Sequence, residues 1–243
     1  MTSNNQQIDQ GMQTPSVQPM SASPGPLVPD EVVSGLYISN IHTASGYLKG
    51  TLSSANAPAI GHILSLYSGR QTDRDRLKRT DGITVTNKQI ILHDYSSTNM
   101  IEHFPQIVLS IHTALKENRH VLVHCYAGVS RSATAILAYL IWAQGMAFNT
   151  ALKLLWSKRP VVNPNAGFRE QLRLWELLDC NLLTNDPECR FKEEYVDFTK
   201  KRALKSFTDA DGNEPDLGAL RRVLRPEPTN EVPKGKTDGL QKA

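Results

Sequence analysis

A chain of 243 residues, 40% apolar and 21% charged, suits one ordinary soluble domain with tails, or at most two small domains. Its net charge of +3 gives no broad field that calls for nucleic acid or an anionic membrane, so neither is expected as a partner. The three cysteines, Cys125, Cys180 and Cys189, form no CxxC and no Cys/His cluster at zinc-ligand spacing. Such a sparse, odd set points to a reducing compartment and leaves room for a reactive thiol.

Residues 1–30 are rich in Gln, Ser and Pro and cannot bury enough surface to offset their ordering entropy, so a disordered tail is expected. They carry neither a basic n-region nor an apolar h-region, and the first basic residue is Lys49, which argues against a secretory or mitochondrial leader. Thr2 occupies the position where myristoylation requires Gly. The longest apolar stretch, residues 133–143, is interrupted by Thr134 and is far below the roughly 20 residues of a membrane span. A cytoplasmic or nuclear location is expected.

The folded part is expected over residues 31–182. Short β-rich runs predict strands at 36–38, 62–66, 89–92 and 121–123, the last continuously apolar as a central strand should be. Between them, Phe104, Ile107, Val108, Ile111 and Leu115 recur at three–four spacing and predict a helix over 101–117. Residues 132–144 are apolar nearly all round and predict a buried helix. Asn149 is placed to cap a helix running to Lys158 with Leu152, Leu155 and Trp156 inward. Pro164-Asn165 opens another, carrying Phe168, Leu172, Leu174, Trp175 and Leu178. Strands alternating with helices predict an α/β fold: a mostly parallel central sheet flanked by helices. Residues 183–243 read as a charged extension, with an amphipathic helix at 192–206 and a mobile tail from Asp209.

The chemistry concentrates in Val121-Leu122-Val123-His124-Cys125-Tyr126-Ala127-Gly128-Val129-Ser130-Arg131-Ser132. A buried strand ends in His-Cys, a short loop with one Gly follows, and Arg-Ser opens an apolar helix. This order aims several backbone N–H groups at one point beside a positive helix N-terminus, where a dianion fits. Gly128 lets the backbone wrap closely, and Arg131 adds a planar fork for two phosphate oxygens. The same positive site favours the thiolate form of Cys125 and makes it a nucleophile.

The segment His124 to Ser132 resembles the signature loop of the dual-specificity phosphatases, a branch of the cysteine-based protein tyrosine phosphatases. Gly35-Leu36-Tyr37-Ile38-Ser39-Asn40 resembles the family's first strand, and Ser130-Arg131-Ser132-Ala133-Thr134 its loop-to-helix junction. Arg159-Pro160 and Pro164-Asn165-Ala166-Gly167-Phe168-Arg169-Glu170-Gln171-Leu172 resemble its closing helix. The resemblance implies a protein-tyrosine-phosphatase-like fold and phosphoprotein substrates. It implies Cys125 as nucleophile, the 126–131 loop as phosphate cradle, and Ser132 as hydroxyl partner of the departing thiolate. His124 and Asn165 are implied as supporting residues, and no metal or cofactor. The family also needs a general acid, an Asp on a loop about thirty residues before the Cys. Asp94, in Ile90-Ile91-Leu92-His93-Asp94-Tyr95, lies 31 residues upstream (125 − 94) and takes that place.

The expected activity is hydrolysis of phosphotyrosine and of phosphoserine or phosphothreonine on proteins, with the domain too short for the loop that deepens the pocket of larger tyrosine-specific relatives. The loop carries no Lys of the kind inositide phosphatases place there, which disfavours a phosphoinositide. The sequence shows no basic groove signature, which disfavours an RNA 5′-phosphate as substrate. Relatives that bind phosphate without turnover usually lose the Cys or the acid, whereas Cys125, Arg131, Ser132 and Asp94 are all present here, which favours an enzyme. His93 reads as a loop residue, and the run Arg70 to Arg79 as a solvated, salt-bridged loop or helix.

Overall fold

The computed structural model describes residues 28–52 and 57–207. Five strands, β1 (Asp30–Val33), β2 (Leu36–Ser39), β3 (Ile60–Tyr67), β4 (Thr86–Ile91) and β5 (His120–His124), form one mixed sheet in the order β1-β2-β5-β3-β4. Only the β1–β2 pair is antiparallel; β2, β5, β3 and β4 run parallel. β5 therefore sits at the centre with a parallel neighbour on each side, as its apolar run demands. The helices are α1 (Ile41–Lys49), α2 (Gln71–Arg76), α3 (Phe104–Lys116), α4 (Arg131–Gln144), α5 (Phe148–Lys158), α6 (Ala166–Leu177) and α7 (Glu193–Phe207), with a single 3-10 turn at Ile101–His103 before α3.

Strand alternation divides the core in two. Leu36, Ile38, Leu64, Leu66, Val121 and Val123 face α3, α4, α5 and α6 in the larger cluster. Tyr37, Ile63, Tyr67 and Leu122, each one residue out of phase, pack with Ile41, Ala44 and Leu48 of α1 in the smaller one. Phe104, Phe168 and Trp175 are among the largest side chains wholly removed from solvent, each worth on the order of 1.5–3 kcal/mol of transfer free energy. α4 runs through the middle of the larger cluster and is buried from Arg131 to Ile141. Among the described residues no helix is long and apolar enough to cross a membrane.

Several expectations need correction. α5 begins one residue before Asn149, and its N-cap is Ala147, which offers no side-chain oxygen. A tertiary contact does the capping instead: the Phe148 N–H donates to Glu176 Oε2 of α6 at 3.1 Å, and a carboxylate suits a helix N-terminus. Trp156 is not inward; it is 41% exposed and spends its indole N–H on the Val162 carbonyl. α1 was not expected from sequence, although Asn40 caps it through His42 and Thr43 and Gly50 ends it in the left-handed region. The 70–79 run needs no correction: it holds α2, with Asp75 and Lys78 paired at 2.8 Å, in keeping with the salt-bridged segment expected there. Finally, the packed unit runs past residue 182: α7 sinks Tyr195 and Phe198 into the larger cluster. The expected tail at 1–30 lies outside the described residues as far as residue 27, while Asp30 already belongs to β1; the tail expected from Asp209 lies wholly outside them.

Candidate active site

The loop of residues 125–130 leaves the C-terminal end of β5 and feeds directly into α4. Its backbone carbonyls are turned away from the loop centre. Tyr126 O accepts from the Ile41 N–H at 3.1 Å, and Val129 O accepts from the Asn163 N–H at 2.9 Å. Arg159, at the end of α5, donates to the two carbonyls between them, Nε to Gly128 O at 2.9 Å and Nη2 to Ala127 O at 3.3 Å. Ser130 O caps α4 through Thr134, N–H at 2.8 Å and Oγ1 at 2.9 Å. With every carbonyl from 126 to 130 held by the surrounding frame, the N–H dipoles are left to the inside. One of them, Gly128 N–H, donates to Cys125 Sγ at 3.2 Å.

Gly128 is required here twice over. Its φ is +73°, and a Cβ would stand 2.5 Å from the Ser39 carbonyl oxygen, a backbone atom with no freedom to retreat. Cys125 is 1% exposed, and its sulfur also lies 3.2 Å from Ser132 Oγ in the first turn of α4. The thiol thus has a backbone amide and a hydroxyl as neighbours at the positive end of a buried helix. Tyr126 and Ala127 form the exposed lip of the loop.

Behind the thiol, His124 is completely buried. Burial pushes its imidazole down to about 4, with a partial offset from its bond to the Cys125 carbonyl, so the ring is neutral at physiological pH. Nδ1 lies 3.2 Å from that carbonyl and must carry the ring proton, since a carbonyl can only accept. Nε2 is then an acceptor, 2.7 Å from Ser65 Oγ. Ser65 Oγ also sits 2.7 Å from Asn87 Oδ1 and has one proton to give, so turning the amide over puts Nδ2 there as the donor. A chain from β4 through β3 to β5 closes when Asn87 donates to Ser65, Ser65 to His124 and His124 to the Cys125 carbonyl. That orientation of the amide also gives a partner to Asn87 Nδ2, which otherwise has none.

Asp94 lies on the loop after β4, with its side chain 34% exposed. Both oxygens are engaged. Oδ1 accepts from Ser130 Oγ at 2.6 Å and from Asn165 Nδ2 at 3.0 Å, while Oδ2 is 3.5 Å from Arg131 Nε. The last contact is coulombic only, because Nε is buried without a hydrogen-bond partner. Arg131 Nη1 donates to the Leu92 carbonyl at 3.0 Å. Asn165 works in two directions: its Oδ1 accepts from the Phe168 N–H and caps α6, while its Nδ2 holds Asp94. The structure therefore brings Asp94, Cys125, Ser130, Arg131, Ser132 and Asn165, from one end of the sheet and two helix N-termini, into one site. His93 stays outside it, exposed and stacked on Tyr95. All three cysteines are free. Burial, with Asp179 and Glu176 adding to it, pushes Cys180 up to about 11, so it remains a thiol at neutral pH.

Three residues of the site were not read from sequence. Arg159 was noted only as part of an Arg-Pro pair. Gln171 threads its side chain beneath the loop that carries Asp94, with Oε1 accepting from Met100 and Ile101 N–H and Nε2 donating to Thr98 O. Arg202 of α7 donates Nη2 to the Ser96 carbonyl at 2.9 Å. A polar residue at a core position of an amphipathic helix was the available signal for Gln171; neither arginine left one.

The family model of the dual specificity phosphatase catalytic domain matches residues 49–177, more than half of the chain. The chain belongs to this family. Dual specificity protein phosphatase MPK-4 of Drosophila melanogaster is 36% identical over 166 residues, covering 68% of this chain and 40% of its own length. Dual specificity protein phosphatase 1 of Arabidopsis thaliana is 36% identical over 146 residues, covering 60% of this chain and 68% of its own length. This dual-specificity phosphatase chain thus spans well under half of the fly relative and about two thirds of the plant one. Among solved structures, the human tyrosine phosphatase-like serine/threonine/tyrosine-interacting protein superposes with a TM-score of 0.56 at 27% identity, over 63% of this chain and 98% of the other. DUSP15 superposes with a TM-score of 0.53 at 28% identity, over 62% and 88%.

Proposed function

We propose that this dual-specificity phosphatase is catalytically competent and hydrolyses phosphotyrosine and phosphoserine or phosphothreonine on proteins. The observation that carries the reading is the outward anchoring of every carbonyl from Tyr126 to Ser130, with the Gly128 N–H on the Cys125 sulfur. A loop built this way presents donors and no acceptors to a bound phosphoryl group.

In the first step the Cys125 thiolate attacks phosphorus in line. An S–P bond forms, the P–O ester bond breaks, and Asp94 gives its proton to the departing oxygen. The loop N–H groups and the Arg131 guanidinium, whose Nε is a buried donor in search of an acceptor, hold the equatorial oxygens. In the second step Asp94, now ionised, takes a proton from water as its oxygen attacks phosphorus. The S–P bond breaks, the electron pair returns to sulfur, and the Ser132 hydroxyl at 3.2 Å stabilises the thiolate. Ser130 and Asn165 on Asp94 Oδ1 orient the carboxyl for both proton transfers.

The test is turnover of phosphotyrosine, phosphothreonine and phosphoinositide substrates by the full chain, with Cys125→Ser as blank. The expected result is hydrolysis of both phosphopeptide classes, reduced at least about 10⁴-fold in the variant. Turnover that survives Cys125→Ser, or that is confined to the inositide, overturns the reading.

A further inference from the structure

α7 lies beyond residues 49–177, the span the family model matches, yet it contacts the loop that carries Asp94. Tyr195 and Phe198 seat the helix in the core. From there Arg202 extends across the Phe198 ring, 5.1 Å from its centroid, and donates to the Ser96 carbonyl. Ser96 is two residues past Asp94. The same carbonyl is pressed on α6, where a Cβ on Gly167 would fall 1.9 Å from its oxygen. Glu170 of α6 lies close enough to Arg202 to act on its charge, and Tyr195 sits beside Asn99 and Glu102 at the far end of the loop. The acid loop is therefore gripped from two sides, by α6 through Gly167 and Gln171 and by α7 through Arg202.

We propose that α7 is part of the general-acid apparatus, with Arg202 a positioning residue that fixes the acid loop, and with it the Asp94 carboxyl, at the distance proton transfer requires. This rests on the reading of Asp94 as the acid. A guanidinium on a loop carbonyl restrains the backbone without touching the phosphoryl group. Its removal should displace the proton donor and leave the cradle of Cys125 and Arg131 intact. Misplacing a reacting group by about 1 Å costs up to about 10²-fold in rate.

The experiment uses the full chain and a series of aryl phosphates whose phenols span good to poor leaving groups, together with a phosphothreonine peptide. Arg202→Ala should lose about tenfold or more in kcat on the poor leaving groups, change little on the best one, and leave KM unaltered. The good leaving group serves as the measure that the variant is folded. Arg202→Lys, which can still donate to the Ser96 carbonyl, should recover part of the loss. In an Asp94→Asn background Arg202→Ala should cost nothing further. An equal loss across the series, or a loss undiminished in the Asp94→Asn background, overturns the proposal. If Asp94→Asn alone shows leaving-group dependence and Arg202→Ala shows none, only the positioning role falls. If Asp94→Asn itself shows none, the reading of Asp94 falls and takes this one with it.

Discussion

The 125–130 loop and the loop of Asp94, which the proposed reaction makes the phosphate loop and the acid loop, are held in opposite ways. The phosphate loop is fixed through its own main chain, carbonyl by carbonyl, against α1, the end of α5 and the segment before α6. The acid loop is fixed by side chains that reach in from elsewhere: Asn165 and Ser130 on Asp94, Gln171 on Thr98, Arg202 on Ser96. The difference follows from what each must bind. An anion cradle needs backbone N–H groups in a fixed array, so the chain conformation itself is the site. A proton donor needs one carboxyl at one distance, which a few braces can set. Damage to the first should therefore affect all substrates alike, and damage to the second should depend on the leaving group.

Arg131 belongs to both regions, with one nitrogen on Leu92 O and another beside Asp94, and its loss should be the largest. Arg131→Lys, which keeps the charge and loses the fork, is expected to lower kcat/KM by about 10²–10³-fold on every substrate, read by steady-state kinetics and by vanadate affinity. Unchanged vanadate binding would break the comparison. Gly128→Ala comes next. The Cβ clash with Ser39 O and the positive φ should destabilise the fold by about 1–3 kcal/mol and lower rates on good and poor leaving groups equally. Thermal unfolding and the same substrate pair measure both. Asn165→Ala should be milder and selective: about tenfold on phosphothreonine, near wild type on an activated aryl phosphate, because only one of the bonds to Asp94 is lost. An equal loss on both substrates would move Asn165 to the cradle side of the comparison.

The smallest effect on turnover goes with a loss of stability at low pH. His124 and His62 are each pushed down to about 4, mainly by burial. Both are neutral in the fold and take up protons in the unfolded chain as pH falls below about 6.5. The unfolded state then binds more protons, so stability is complete above pH 6.5 and declines down to about pH 4, by at most about 1.4 kcal/mol per pH unit for each ring. Denaturant midpoints at pH 7.5 and 5 check this, and His62→Gln should flatten the slope. His62, between Thr86 and Ser110, is remote from the cradle in sequence, so turnover at neutral pH should be spared.

Much of the phosphate loop was legible because its logic is local. Strand, Cys, Gly, Arg and helix follow one another within twelve residues, and each type has a conformational reason to be there. The central strand and α4 were legible for the same reason: apolar on all sides, they could only be buried. Asp94 was legible as a position on the loop after β4 and not as a geometry. What could not be read were contacts between distant segments. Asn149 offered a plausible cap, and Glu176 took the role because α6 happens to lie across the start of α5. α1 was hidden by Thr43, Ser45 and Gly46, weak helix formers that packing under the sheet overrides. Arg202, which meets Ser96 from 106 residues away, stands in a charged helix where an arginine is unremarkable.

Arg159 makes one more bond, to the Asp30 carboxylate in β1. The two residues are 129 positions apart, and between them they tie β1 to the carbonyls of Gly128 and Ala127. The boundaries at which this protein can be shortened for expression follow from that. A version trimmed to residues 49–177 would remove β1, β2, α1 and α7 together. It would strip the outer strands from one flank of β5, leave Arg159 facing the cradle without its counter-charge, and release the Ser96 carbonyl. A version spanning 28–207 keeps all of these. Engineering of this enzyme should therefore begin upstream of Asp30, with affinity tags and crystallisation partners joined ahead of the strand rather than in place of it.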